Sequence, residues 1–572
     1  MDNQPVWKSK TVIFTIFILI LLTAFLFRFA GFTREPASYH PDEYIIVEKV
    51  LAKVTGYQEG AELKIYMWPG ITISNFFIIF FTLLKWVGVD VTYILVLKTL
   101  QFSSILFGTA SVAAVFFLAQ RMYDTMTGLL ASGFFALMMD PIRIAHWATT
   151  DSASIFFMII CFHFCYQLMK SREHPHEEKW IKWNGKIINL QFPKTYLLIA
   201  VFFTLTVLTK WIGLTLLFPI AYALCYRHGL FSDLQQKRIQ LATCQAILKS
   251  SFIIGVVSIL TSILIWPKLL VILDTVWGYF KYNSLLHKAG HYGIFATNNL
   301  NLLDFEAYTA TVLYWGMGIA LMIACLLGIL FLLQRHKPED LFLVAFILVY
   351  LLFMGSYKVR LIRYFIPVFP LLAIAAAVAI TSLYASAKKA ILRIVVVLVV
   401  ILIISHSFIY ALAYTNILVE EDVRVTAEKW IDQNIPAGKS VIYAPTTQPW
   451  AAPRIDSSKH VWSQEAPPDY VVMTRSAYDM IVKYIQAPEK YVDSDFFRGD
   501  FRNKETLGFY QLVYFGEDEN SPYKLAKSIT KSPHALGFFI DDTNAPYDVW
   551  SITHPEIRIY QFRNSTPETT LQ

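Results

Sequence analysis

A succession of apolar runs fills the first three quarters of this chain. They lie near 11–30, 71–88, 92–119, 127–145, 153–169, 195–210, 211–226, 251–273, 309–333, 341–356, 364–383 and 391–413. A spanning helix needs roughly 17–25 apolar residues, and several of these runs sit near the lower limit. No single soluble core could absorb so many. The composition agrees, with 56% hydrophobic and 16% charged residues over 572 positions, and a mean hydropathy of +0.47. Soluble domains run nearer 45–50% and about 25%. The chain therefore reads as a polytopic α-helical membrane protein, which excludes disordered, coiled-coil and disulfide-scaffold architectures.

The net charge of +7 is modest, and its distribution argues against nucleic acid as a partner. Lys and Arg punctuate the apolar runs, as the positive-inside rule expects, rather than forming one polar face. Lys8 and Lys10 precede the first run, which lacks a small-residue cleavage site and so reads as an uncleaved anchor with a cytosolic N-terminus. Basic loops at 170–194, 227–249, 335–337 and 388–393 are assigned to the cytosol. Asp151, Lys210, the loops 274–308 and 357–363, and everything after 413 then fall outside. Three runs lie between residues 71 and 150, where an even number of crossings is required. Arg121 marks a cytosolic turn, so 71–88 is expected to be the incomplete crossing. About eleven spans result, with about thirteen as the upper reading.

Two units are expected: a multi-span catalytic domain over 1–413 and an extracytoplasmic α/β domain over 414–572. In the second, a helix at Glu428–Ile431 leads to a strand at Ser440–Tyr443, with further strands at Asp469–Met473 and Ile557–Tyr560 and a helix near 476–486. The five cysteines lie in or beside apolar segments, so no disulfide framework is implied, and Cys161 with Cys165 reads as a packed or lipid-facing pair. The apolar runs read as free of Asp and Glu. Ion-coupled transporters usually need mid-membrane ionisable groups.

Several short motifs carry candidate chemistry. His40-Pro41-Asp42-Glu43-Tyr44 follows the first run. Pro41 suits a first helical turn, and acids there are favoured by the helix dipole, so Asp42 and Glu43 have a purely structural explanation. Beside a membrane cleft, however, adjacent acids could take a proton from an acceptor hydroxyl, provided desolvation keeps their pKa in range. Asp151 starts another run, where helix N-capping competes with a role in orienting the first acid. Lys210, Arg360 and Arg363 are cations on the outer side, against the charge rule. Holding a lipid phosphate would explain them, as would snorkelling. His287 and His291, around glycines, suggest a loop over a substrate or a plain structural loop rather than a metal site.

These pieces resemble the polyprenyl-phosphate-dependent glycosyltransferases of GT-C fold, in particular the protein O-mannosyltransferase and lipid A aminoarabinose transferase group. The matching segments are His40-Pro41-Asp42-Glu43, Tyr66-Met67-Trp68-Pro69, Ala148-Thr149-Thr150-Asp151, Leu208-Thr209-Lys210, Gly290-His291-Tyr292-Gly293 and Arg363-Tyr364-Phe365-Ile366-Pro367. The resemblance implies a sugar on a polyprenyl monophosphate as donor and co-substrate, and a hydroxyl on protein, lipid or glycan as acceptor. It implies transfer with inversion on the outer face of a prokaryotic cytoplasmic membrane, with no catalytic metal or other cofactor required. Asp42 would be the general base, with Glu43 and Asp151 assisting. His40, Lys210, His287, His291, Arg360, Arg363 and Tyr364 would bind substrate. The segment Trp68-Pro69-Gly70 departs from the Pro-Pro-Leu often found in that group. Two other readings use the same residues: a lipid-linked precursor flippase, with no need of a base, and a diphosphate-donor enzyme of the same fold, dependent on a divalent metal.

Overall fold

The computed structural model describes residues 9–34, 40–56, 70–173, 180–184, 189–289, 311–355, 357, 361–461, 467–488, 504–515 and 521–563. The first helix, α1 (Lys10–Phe29), is followed by α2 (Pro41–Thr55), α3 (Ile71–Trp86), α4 (Tyr93–Met122), α5 (Thr125–Ala136), α6 (Met139–Ala145) and α7 (Asp151–Lys170). A hairpin of β1 (Trp180–Asn184) and β2 (Asn189–Pro193) precedes α8 (Lys194–Thr209). Next come α9 (Leu217–His228), α10 (Leu230–Gln235), α11 (Leu241–Ile265), α12 (Leu273–Ala289), α13 (Tyr314–Met317), α14 (Ile319–Arg335), α15 (Pro338–Gly355), α16 (Phe369–Ser386) and α17 (Ala390–Val419).

Among the described residues, seven helices are long and apolar enough to cross a bilayer, or eight if α5 and α6, bent by 62°, form one span. α3, α8 and α14 are shorter apolar helices. α3 does not cross. Gly70 at its start abuts Thr150, Lys85 near its end donates to the Val54 carbonyl (3.0 Å), and it shares an apolar cluster with α2 and the first turns of α4. Both its ends therefore stay on the side that carries α2. Eleven crossings, as expected from the sequence, would require the broken 211–228 segment, α8 and α14 to cross as well, and these fall short of the roughly 20 residues a span needs. The C-terminal unit stands on the α2 side, where Arg34 pairs with Asp422 at 2.6 Å.

The opposite side is stitched by polar contacts between helix ends. Tyr123 donates to Asp340 (2.9 Å), Arg335 grips the same carboxylate, and Arg172 donates to the Tyr226 carbonyl (3.0 Å). In the middle, α14 and α16 approach closely because small residues let them. A Cβ on Gly328 would sit 2.5 Å from the backbone carbon of Ala375, and α16 is buried without interruption from Phe369 to Ala379. With lipid outside, close van der Waals packing of this kind takes over from the hydrophobic effect.

The C-terminal unit begins with α18 (Val423–Asn434), β3 (Val441–Tyr443), β4 (Tyr470–Thr474), α19 (Arg475–Gln486) and α20 (Lys504–Val513). It continues with β5 (Tyr523–Ile529), β6 (His534–Ala535), β7 (Phe538–Phe539), α21 (Tyr547–Trp550) and β8 (Ile557–Phe562). One mixed sheet has the order β3-β4-β8-β5, with only β3 and β4 parallel. Every residue of β4 is buried because both faces are covered, by α18 on one side and by α19 and α20 on the other.

The structure corrects the sequence reading in three places. The 127–145 run is not free of acids: Asp140 lies within it, buried with Arg143. The basic loop 170–194 contains the β1–β2 hairpin, and the outer loop after α11 begins as a helix, α12. Cys161 and Cys165 are buried and unbridged, packed within the bundle.

Candidate active site

The site is built on the first turn of α2. His40 caps that helix, its Nδ1 accepting the Asp42 amide (3.0 Å), while Glu43 reaches back to the His40 amide (3.2 Å). This is a capping box with histidine in the cap position. Glu43 is fully buried and also accepts from Gln101 Nε2 (2.9 Å) and the Ala148 amide (2.7 Å). One carboxylate thus ties α2 to α4 and to the connection before α7. Successive residues on a helix diverge by about 100°. Asp42 therefore faces elsewhere, onto a cavity that Glu43 does not line.

In that cavity Asp42 pairs with Arg363 at 3.0 Å. Arg363 sits on a short 3-10 turn, Ile362–Tyr364, and its Nη1 also lies 2.9 Å from His40 Nε2. Burial presses the Asp42 pKa upward, but Arg363 and then His40 outweigh it and leave the carboxyl below its usual range. The sequence argument had desolvation keeping this acid basic enough to act; the cation reverses the sign while it is in place. Burial lowers His40 to about 4, so its ring is neutral at ordinary pH.

A second pair stands beside the first. α8 breaks at Lys210, whose extended backbone turns the side chain toward Asp151, and the two form an ion pair. Asp151 is the first residue of α7 and Thr150 occupies the cap position, so Asp151 does not serve as the N-cap. Tyr364 lies between the cations, its ring centre 5.4 Å from the Lys210 ammonium and 5.5 Å from the Arg363 guanidinium. Around these charges the cavity encloses about 490 Å³. Its remaining wall is largely apolar, drawn from Ile46, Ile212, Leu214, Leu217, Phe218, Phe280, Val349, Phe353 and Met354.

The structure thus gathers His40, Asp42, Asp151, Lys210, Arg363 and Tyr364, with Glu43 directly behind. His291 and Arg360 fall outside the described residues, as does the side chain of His287, whose backbone ends α12. Among the described residues no three His, Cys, Asp or Glu cluster so as to hold a metal ion. The sequence reading missed Asp140, Arg143 and Asp548, buried side by side behind the site. Charged residues inside the 127–145 run were the available signal for the first two; nothing local marks Asp548.

A helical bundle with paired charges at one end of an apolar cavity, joined to an α/β unit, describes a polytopic membrane protein, and solved structures share that fold. The archaeal oligosaccharyltransferase AglB of Archaeoglobus fulgidus, solved with an inhibitory peptide and a dolichol-phosphate, is similar in fold. Its TM-score is 0.51 at 10% identity, over 97% of this chain and 89% of that one. The same enzyme tethered to an acceptor peptide gives 0.50 at 10% identity, over the same shares. ArnT from Cupriavidus metallidurans in its apo state aligns at 0.46 with 11% identity, over 82% of this chain and 94% of that one. No family's sequence profile and no curated protein matches the chain.

Proposed function

We propose that this protein is a membrane glycosyltransferase that moves a sugar from a polyprenyl-monophosphate donor to a hydroxyl acceptor, with inversion and with Asp42 as general base. The observation that carries the reading is the convergence of two carboxylate–cation pairs, Asp42–Arg363 and Asp151–Lys210, at the head of one apolar cavity. The volume suits part of an amphiphilic ligand. Two cations offer a monophosphate its counter-charge, and the buried Arg363 Nε has no partner among the described residues, leaving the guanidinium bonding capacity for an anionic oxygen. The shared fold supports the reading, since AglB is an oligosaccharyltransferase solved with a dolichol-phosphate.

Inversion asks for one base and one leaving group. A phosphate drawing Arg363 toward itself weakens that residue's hold on Asp42, and the same burial that opposes ionisation then makes the carboxylate a stronger base. Donor binding would in this way arm the base. Lys210 would neutralise charge developing on the departing phosphate, and Asp151 would set the position of Lys210. Glu43 is placed to orient rather than to react. Basic residues gather on the side opposite the site, which supports an extracytoplasmic active site over a 1–413 catalytic unit, with the α/β unit on the same side.

The test uses Asp42→Asn in membranes supplied with radiolabelled polyprenyl-phosphate mannose or glucose. Transfer to endogenous acceptor is expected to fall about 10²–10⁴-fold, with binding of the lipid phosphate retained. Intact transfer by the variant would remove Asp42 as the base. Lipid translocation without any transfer by the unaltered protein would favour the flippase reading instead.

A further inference from the structure

Behind the site lies a charged cluster that the proposed chemistry does not use. Arg143, on α6, is buried inside the bundle and pairs with Asp140 one turn earlier. It also donates to the backbone carbonyl of Asp548 and lies 3.5 Å from that residue's carboxylate. Asp548 belongs to α21 of the C-terminal unit, which is packed into the main core of the bundle through Val549, Trp550 and Ile552. Burying such a group costs several kcal/mol unless it is bonded well, so each bond it makes is informative. Its Oδ2 accepts the Ile362 amide at 2.7 Å.

Ile362 is the residue before Arg363 and the first of its 3-10 turn. A carboxylate at that point satisfies a donor the turn leaves open. The far end of the same turn is fixed by Tyr350, whose hydroxyl donates to the Tyr364 carbonyl. Arg143 meets the other half of the pair as well. Its guanidinium lies over Trp147 (5.8 Å), and Trp147 packs on His40 (4.7 Å), the residue that caps Asp42.

We infer that Asp548, contributed by the C-terminal unit, is a positioning residue that holds the Ile362–Tyr364 turn and thereby aims Arg363 at the bound phosphate. The inference rests on the donor reading above and adds that the C-terminal unit completes the donor site. Loss of the bond frees the turn at its first amide, and Arg363 then spends binding energy on its own ordering.

The experiment measures binding of undecaprenyl phosphate to the full-length protein in nanodiscs, as a double-mutant cycle between Asp548 and Arg363. Asp548→Ala is expected to weaken binding about tenfold in the Arg363 protein and to have no further effect in Arg363→Ala, since coupled residues are non-additive. Asp548→Asn keeps an acceptor oxygen and should bind within about twofold of the unaltered protein. If Asp548→Ala does not yield monodisperse protein, Asp548→Ser replaces it, its hydroxyl being too short to reach the Ile362 amide. Equal losses in both backgrounds, or none in either, would overturn the inference alone. Failure of the unaltered protein to bind the lipid phosphate would overturn the donor reading and this inference together.

Discussion

At the scale of single residues, the site is a set of charges held in check by one another. Asp42 is kept below its usual pKa range by Arg363, with His40 beside it and the Asp151–Lys210 pair on the neighbouring wall. Removing the cation while keeping the burial reverses the balance. In Arg363→Gln, the Asp42 carboxyl holds its proton to higher pH, so the acid limb of the kcat/KM profile should move upward. The donor KM should rise with it, and an unmoved limb would show that Asp42 is not the group that titrates. Glu43 should behave differently. Its carboxylate accepts from three donors, two of them backbone amides, and Glu43→Gln turns an –NH₂ toward at least one of them. A loss of about 1–3 kcal/mol of stability is expected, read as a lower thermal midpoint at little cost to the pH profile of whatever activity remains. The family resemblance divides the two acids, with Asp42 as base and Glu43 assisting, but the physical ground for Glu43's part was not legible, because it depends on Gln101 and Ala148, brought in from far along the chain.

At the scale of elements, glycines and breaks decide where helices can lie. Gly328 lets α14 rest against the backbone of α16, and a Cβ there would meet Ala375 atoms at 2.5–2.6 Å. Gly328→Ala should therefore force the two helices apart and cost about 1–3 kcal/mol, measured as an earlier transition in detergent. A variant as stable as the parent would show that the helices already have slack. Which elements exist was largely legible. The apolar runs anticipate the helices of the bundle, and the strands at 441–443, 470–474 and 557–562 follow their apolar patterns. β5 was not legible: four of its seven residues are exposed, so Tyr523–Ile529 offers no buried stripe to read. The break at Lys210 was visible as a cation between two runs. Its purpose was not, since Asp151 stands on a different helix and only packing brings the two together.

At the scale of the whole molecule, the decisive question is which side of the membrane the cavity opens on. The ion pairs of the site and the Arg34–Asp422 pair, with α3 lying beside α2 rather than crossing, put Asp42, Lys210, Arg363 and the C-terminal unit on one side. Lys170, Arg172, Arg227, Arg238, Lys337, Lys388 and Lys389 fall on the other. A bias of that size in short loops sets orientation in the positive-inside sense. On that rule we propose that the site faces away from the cytosol, the side on which the proposed lipid-linked donor would meet its acceptor. Cysteine placed at Lys237, in the loop between α10 and α11, and at Lys524, on β5, separates the two faces; both side chains are exposed. Cys225 and Cys244 are changed to serine, and the remaining three cysteines are buried. In intact cells a membrane-impermeant maleimide should label the Lys524→Cys protein and spare Lys237→Cys until the membrane is opened. The reverse pattern would place the C-terminal unit in the cytosol and the charged pairs with it. Labelling of both in sealed cells would mean that an odd number of the assigned crossings between them is wrong, with the short helix α14 the first to re-examine.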